Sequence, residues 1–122
     1  MSAGRDIVYV IDDDASIRIG LGRLLRSAGY RVSTFSDPKQ FLEADRIDAS
    51  ACVVLDMMMP GISGLEVQKR LKVESPNLPV IFISGHLLPP MRELAREQGA
   101  AEIFEKPFEG DAILEAIQKA IG

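Results

Sequence analysis

The chain is predicted to fold as an α/β domain: a doubly wound, five-stranded parallel sheet with helices on both faces. Three observations predict it. Short apolar runs alternate with helix-patterned stretches five times over. Two of the runs, Val53-Val54-Leu55 and Val80-Ile81-Phe82-Ile83, are unbroken, as strands buried on both faces must be. Four of the runs are closed by polar residues, which belong where a sheet opens to water.

Ile7 to Ile11 forms the first run and ends in Asp12-Asp13-Asp14. Asp14 suits the N-cap of a helix with Ile17, Leu21, Leu24, Leu25 and Ala28 on one stripe, and Gly29 stops it. Tyr30 to Phe35 alternates apolar and polar, with Phe35 out of step. Asp37-Pro38 starts a short helix through Phe41 and Leu42. The third strand closes on Asp56, and the turn Pro60-Gly61 leads to Ser63-Gly64-Leu65-Glu66, a capping box. The fourth strand runs from Leu78 to Ile83 into Ser84-Gly85-His86, with Pro79 near its start. Pro89-Pro90 opens a helix that Gly99 ends, and a short strand over Glu102 to Glu105 leads into Lys106-Pro107-Phe108. The last helix places Ile113, Leu114, Ile117 and Ile121 on one face.

At 122 residues the chain reads as one domain over 1–122, with its core over about 6–121, and no linker or repeat interrupts it. A formal net charge of -4 argues against direct nucleic-acid binding by this domain, because a phosphate backbone demands a basic face. No apolar stretch approaches the ~20 residues that span a bilayer, and no run has the form of a signal peptide. A cytoplasmic protein without membrane association is the expectation. The single cysteine, Cys52, lies inside the third apolar run and reads as a buried core thiol.

In a parallel sheet every strand points the same way. Asp12 and Asp13, Asp56, Ser84 and Lys106 therefore share one edge. If the first and third strands are neighbours, three carboxylates crowd together, and each raises the pKa of the others unless cations compensate. Lys106 offsets roughly one charge. The remainder asks for a hard divalent ion, and oxygen-only ligands favour Mg²⁺, which could clamp a phosphoryl group. Taken singly, the pieces read otherwise: the acidic run as a solvated turn with a helix cap, Asp56 as a turn cap, Ser84 as a turn residue, Lys106 as a surface charge, and His86 as an exposed loop residue.

Taken together, Val10-Ile11-Asp12-Asp13-Asp14, Leu55-Asp56-Met57-Met58-Met59-Pro60-Gly61-Ile62-Ser63-Gly64, Ile83-Ser84-Gly85-His86 and Phe104-Glu105-Lys106-Pro107-Phe108 resemble a response-regulator receiver domain of two-component signalling. The resemblance runs from about Ile7 to Ile121, and the Ser-Gly-His and Glu-Lys-Pro-Phe wording is most similar to receivers of the FixJ type. It implies a flavodoxin-like (βα)5 fold with strand order 2-1-3-4-5. Asp56 would be the phosphoacceptor, taking a phosphoryl group from a sensor histidine kinase or phosphotransfer protein. Asp13, Asp56 and the backbone carbonyl of Met58 would ligate Mg²⁺, or Mn²⁺ in its place, with Asp12 acting through water. Lys106, preceding a cis bond to Pro107, and Ser84 would contact the phosphoryl oxygens. The domain would be no enzyme beyond its own phosphoryl transfer and slow self-dephosphorylation. A downstream protein or effector domain would read the re-packed face of helix 4, strand 5 and helix 5, a face also open to a homodimer.

One position departs from the family. Three residues before the lysine the family carries Tyr or Phe, and this chain has Ile103; Phe104 should face the other side of the strand. Met58 and His86 match positions that tune phosphoryl lifetime, where a bulky apolar side chain suggests restricted water access. Leu87-Leu88 is either core-facing or an exposed patch. Other classes fit less well. A phosphate-independent interaction module would not need every acid, hydroxyl and lysine position filled. A flavin site would want a hydroxyl-rich phosphate loop where Asp12-Asp13-Asp14 stands, and an aspartate-nucleophile phosphatase would want an acid at Met58. Whether the receiver stands alone or belongs to a longer regulator is open.

Overall fold

A computed structural model describes residues 6–45 and 50–122. Ten elements alternate in the expected order: β1 Ile7–Ile11, α1 Ala15–Ser27, β2 Arg31–Phe35, α2 Pro38–Glu43, β3 Ala51–Asp56, α3 Gly64–Glu74, β4 Val80–Ser84, α4 Pro89–Glu97, β5 Glu102–Glu105 and α5 Gly110–Ile121. The strands form one parallel sheet in the order β2-β1-β3-β4-β5, which is the flavodoxin-like arrangement.

Alternation along each strand splits the core in two. Tyr9, Ile11, Val53, Leu55 and Phe82 face α2, α3 and α4, meeting Phe41, Val67, Leu71 and Ala95. Val8, Val10, Cys52, Val54, Ile81 and Ile83 face α1 and α5, meeting Leu21, Leu25, Ile113 and Ile117. β3 is buried along its whole length, because it is the central strand and carries helices on both sides.

Local chemistry sets the helix ends. Asp14 and Asp37 accept from the backbone N–H groups of Ser16 and Lys39, each at 2.8 Å, and Ser63 Oγ accepts from Glu66 at 3.2 Å. Gly29 and Gly99 end α1 and α4 with φ of 96° and 95°, a region closed to most side chains. Ala28 departs from expectation: it is the exposed C-cap of α1 rather than a member of the buried stripe. Leu78 precedes β4 but is buried. Phe35, out of step in the sequence, is explained by the two-sided sheet. Val32 packs on the α1 side, whereas Phe35 joins Tyr9 and Phe41 on the α2 side in an aromatic triad with centroids 5.5 to 6.4 Å apart.

Polar bonds that the sequence did not announce tie α3 to α4. Buried Gln68 donates to the Ala95 carbonyl at 3.0 Å and accepts from Gln98 at 2.6 Å, while Lys72 donates to the Gln98 carbonyl at 3.1 Å. With these bonds the C-terminal end of α4 is fixed to α3. Its start has no side-chain cap, and Leu88 there is 46% exposed while Leu87 packs against the core. The two leucines thus divide between core and surface.

Cys52 has no exposed surface, and burial pushes its thiol up to about 12 from the ordinary 9.0. Thiol reagents at pH 8 are therefore expected to leave folded protein unlabelled and to modify it stoichiometrically in guanidinium. Rapid labelling of native protein would contradict this burial. Among the described residues no helix is long and apolar enough to cross a membrane.

Candidate functional site

Strand register brings the polar strand ends together. Ile11 lies opposite Leu55, so Asp12 and Asp56 follow on adjacent strands; Asp56 lies opposite Ile83, and Ser84 opposite Glu105, one residue before Lys106. Asp12 and Ser84 are fully buried and Asp56 is 4% exposed, while Asp13 is exposed. One carboxylate oxygen from each of Asp12, Asp13 and Asp56 lies within 4.8 Å of the others.

Each buried group is held. Asp12 Oδ1 accepts from the Asp14 N–H at 2.9 Å, and its Oδ2 accepts from Lys106 Nζ at 2.9 Å. Lys106 Nζ stands 3.7 Å from Asp56 Oδ2, while Asp56 Oδ1 accepts from the Met58 N–H at 3.2 Å. The Lys106 N–H donates to the Ser84 carbonyl at 2.7 Å, and the Lys106-Pro107 peptide is cis, as expected. Ser84 Oγ accepts from the His86 N–H at 3.3 Å.

Electrostatics follow from burial and charge count. The Asp56 carboxyl is pushed from 3.8 up to about 6, first by burial and then by the Asp12 charge; the Met58 N–H and Lys106 oppose the shift. Burial works against the charge on Lys106, but the Asp12 hydrogen bond and the charges of Asp12 and Asp56 outweigh it and hold the ammonium above its usual range. One lysine faces three carboxylates. That excess of negative charge on an oxygen-only donor set fits a hard divalent cation.

Two contributors were not legible in the sequence. Arg18 reaches back from α1 and donates to the Asp12 carbonyl at 2.7 Å. Gly64 presses its backbone against the end of β3, so that a Cβ there would stand 2.6 Å from the Asp56 carbonyl oxygen and 2.8 Å from Met57 Cα. Its N–H donates to the Met57 carbonyl at 3.0 Å. An arginine one turn into a helix and a glycine after a cap carry no signal of these contacts. Ile103 is buried among the residues facing α3 and α4, and Phe104 lies on the opposite face 6.2 Å from Phe108, as strand alternation requires. Met58 and His86 have exposed side chains, so neither is packed as an apolar screen over Asp56.

A parallel sheet of this order, with an acidic group and a lysine on its carboxyl edge, defines a doubly wound, flavodoxin-like domain with a polar switch point. A solved receiver-domain protein described as CheY-like, from Methanospirillum hungatei, shares the fold at a TM-score of 0.87. The family model for the response regulator receiver domain matches residues 8–118, and the chain belongs to that family. It is 42% identical to the transcriptional regulatory protein FixJ of Bradyrhizobium diazoefficiens over 93% of this chain and 56% of that protein. It is 40% identical to the response regulator protein TodT of Pseudomonas putida over 99% of this chain and 53% of that protein. Among solved structures, the response regulator StyR matches at 46% identity and a TM-score of 0.88, over 96% of this chain and 59% of that one. The FixJ-N crystal structure matches at 33% identity and 0.84, over 99% and 95%. The chain thus spans about half the length of the curated relatives it matches. Receiver domains of this family serve two-component systems as signalling modules rather than as conventional enzymes.

Proposed function

We propose that this domain is the phosphoacceptor of a two-component relay, with Asp56 as the residue modified. The observation that carries the reading is the placement of a nearly buried carboxylate 3.7 Å from Lys106 Nζ and within 4.8 Å of the oxygens of Asp12 and Asp13. Asp56 Oδ attacks the phosphorus of a phosphohistidine on a kinase or phosphotransfer protein. The P–O bond forms as the P–N bond breaks, and the imidazole leaves with the electron pair and takes up a proton. Asp13, Asp56 and the Met58 carbonyl would hold Mg²⁺ or Mn²⁺, with Asp12 acting through water, and the ion would supply charge neutralisation for the phosphoryl oxygens. Lys106 pairs with those oxygens, and Ser84 donates its hydroxyl to them. Water later attacks the phosphorus slowly: the new P–O bond forms as the P–O bond to Asp56 breaks, inorganic phosphate leaves, and Asp56 returns as a carboxylate.

The output runs along the β4–β5 edge. A phosphoryl group adds roughly -1.5 to -2 charges. It draws Ser84 and Lys106, which already share a backbone bond. With Ile103 buried in the core, no aromatic ring stands at that position, and the route to the face of α4, β5 and α5 runs through the loop after Ser84 that carries Leu87 and Leu88. A downstream effector or a second copy would read that face.

Mass spectrometry after incubation with acetyl phosphate tests the reading. One phosphoryl group is expected on the wild type with Mg²⁺, none with EDTA, and none on Asp56→Ala. No modification of the wild type, or equal labelling of Asp56→Ala, would overturn it. Partner affinity unchanged by phosphorylation would instead favour a phosphate-independent module.

A further inference from the structure

We propose that the concavity between α1 and β2 is an oxyanion site for a phosphate monoester, separate from the acidic site. Arg18, Arg23, Arg26, Ile19 and Thr34 line it, and its volume is about 270 Å³. Its charge is unusual for this chain. The net charge is -4, yet α1 carries three arginines and no acid, and β2 contributes no acid either. Among the described residues, neither Arg23 nor Arg26 has a side-chain ion pair or hydrogen bond within the chain.

The backbone shapes the dent. Residues 18, 22 and 26 lie one turn apart on one helix face, and the middle one is Gly22. With no side chain at 22, the Arg26 guanidinium lies back over it; a Cβ there would stand 3.0 Å from an Arg26 terminal nitrogen. That places Arg26 one turn from Arg18. Thr34 shares the α1-facing side of β2 with Val32 and adds a hydroxyl on the far wall.

Ligand class follows from donor count and size. Three guanidiniums and a hydroxyl offer more N–H and O–H groups than the two oxygens of a carboxylate can accept. The three terminal oxygens of a phosphate monoester match them, with room beside exposed Ile19 for a small organic ester group. A nucleic acid fits poorly, because one dent on a net-negative chain cannot track a backbone. This chemistry is shared by a small ester free in solution and by the headgroup of a lipid such as phosphatidic acid. Arg18 also links the dent to the acidic site, since it donates to the Asp12 carbonyl at 2.7 Å. An anion that draws Arg18 is therefore felt at the end of β1.

The test titrates the whole chain with glycerol 3-phosphate in EDTA, on an Asp56→Asn background, so that neither metal nor phosphorylation contributes. Arginine side-chain N–H signals are followed by NMR. Saturable shifts of Arg18, Arg23 and Arg26 are expected with one common midpoint, together with the Asp13 amide, while exposed Arg96 on α4 stays still. The surface double variant Arg23→Gln/Arg26→Gln should abolish saturation. Gly22→Ala, which only has to displace the flexible end of Arg26, should weaken binding severalfold without unfolding the chain. Shifts that never saturate, that appear equally at Arg96, or that survive the double variant would overturn the site. Vesicles separate the two sources: sedimentation with phosphatidic acid that requires Arg23 and Arg26 assigns the lipid headgroup, and saturable solution binding without sedimentation assigns the soluble ester.

Discussion

Gly64→Ala is expected to cost this domain about 2–3 kcal/mol of stability and to disorder the acidic site with it. An added Cβ would stand 2.6 Å from the Asp56 carbonyl oxygen, 2.8 Å from Met57 Cα and 3.1 Å from the Phe82 ring. The first two are backbone atoms of the central strand and the turn it enters, which cannot step aside as a flexible side chain can. Either α3 lifts, losing the Gly64 N–H bond to the Met57 carbonyl, or the end of β3 moves and takes Asp56 with it. Gly20 provides the internal control. It lies inside α1 with nothing within 4 Å of its Cβ position, so Gly20→Ala should gain roughly 0.5–1 kcal/mol from helix propensity alone. Urea unfolding of both variants decides the matter: similar midpoints for the two would refute the close approach at Gly64.

Replacing Asp56 itself should have the opposite sign. Burial and the Asp12 charge hold its carboxyl near 6 rather than 3.8, so native protein keeps a proton that the unfolded chain has released. Below pH 3.8 both states carry the proton and no penalty applies. Between 3.8 and about 6 the native state binds more protons than the unfolded one, and stability falls as pH rises. Above that window the whole penalty is present, on the order of 2–3 kcal/mol for a shift of this size. In EDTA at pH 7.5, Asp56→Asn is therefore expected to melt several degrees above wild type, and the difference should shrink towards pH 4. Added Mg²⁺ should close most of this gap, because a ligand at 100 times its Kd stabilises the binding-competent wild type by about 2.7 kcal/mol. Thermal melts of the two proteins across pH, with and without Mg²⁺, check all three statements. An Asp56→Asn protein no more stable than wild type in EDTA at pH 7.5 would mean that Lys106 fully compensates the acids.

The two expectations concern neighbouring atoms and differ because packing and charge are separate constraints. Gly64 is where the site demands an absence of atoms. Asp56 is where the fold tolerates an unfavourable charge, and that tolerance is what a functional site leaves behind when its ligand is a cation.

Much of this was legible in the chain. Unbroken apolar runs ending in Asp12, Asp56 and Ser84 reported both the strands and the edge to which their polar ends belong, because a two-sided strand can carry polar residues only where it leaves the core. Asp14, Asp37 and Ser63 announced their helices through capping chemistry, which is local and therefore readable. Gly29 and Gly99 did the same through positive φ.

What the chain could not disclose depends on residues far apart in sequence. The bond from Arg18 to Asp12, the Gln68–Gln98 tie between α3 and α4, and the seat of Gly64 against β3 exist only once helices dock on the sheet. The same holds for Phe35, whose break in alternation became a second core face when α2 packed above it. Fold class, strand ends and the residue types at the acidic edge are all written locally, since hydrophobic period and capping act over a few residues. Packing alone sets how near Lys106 stands to each acid, how burial and the Asp12 charge push the Asp56 carboxyl up, and that Arg18, Arg23 and Arg26 line one dent beside Gly22. Distance, burial and net local charge are sums over the whole packed molecule, and no window of sequence contains them.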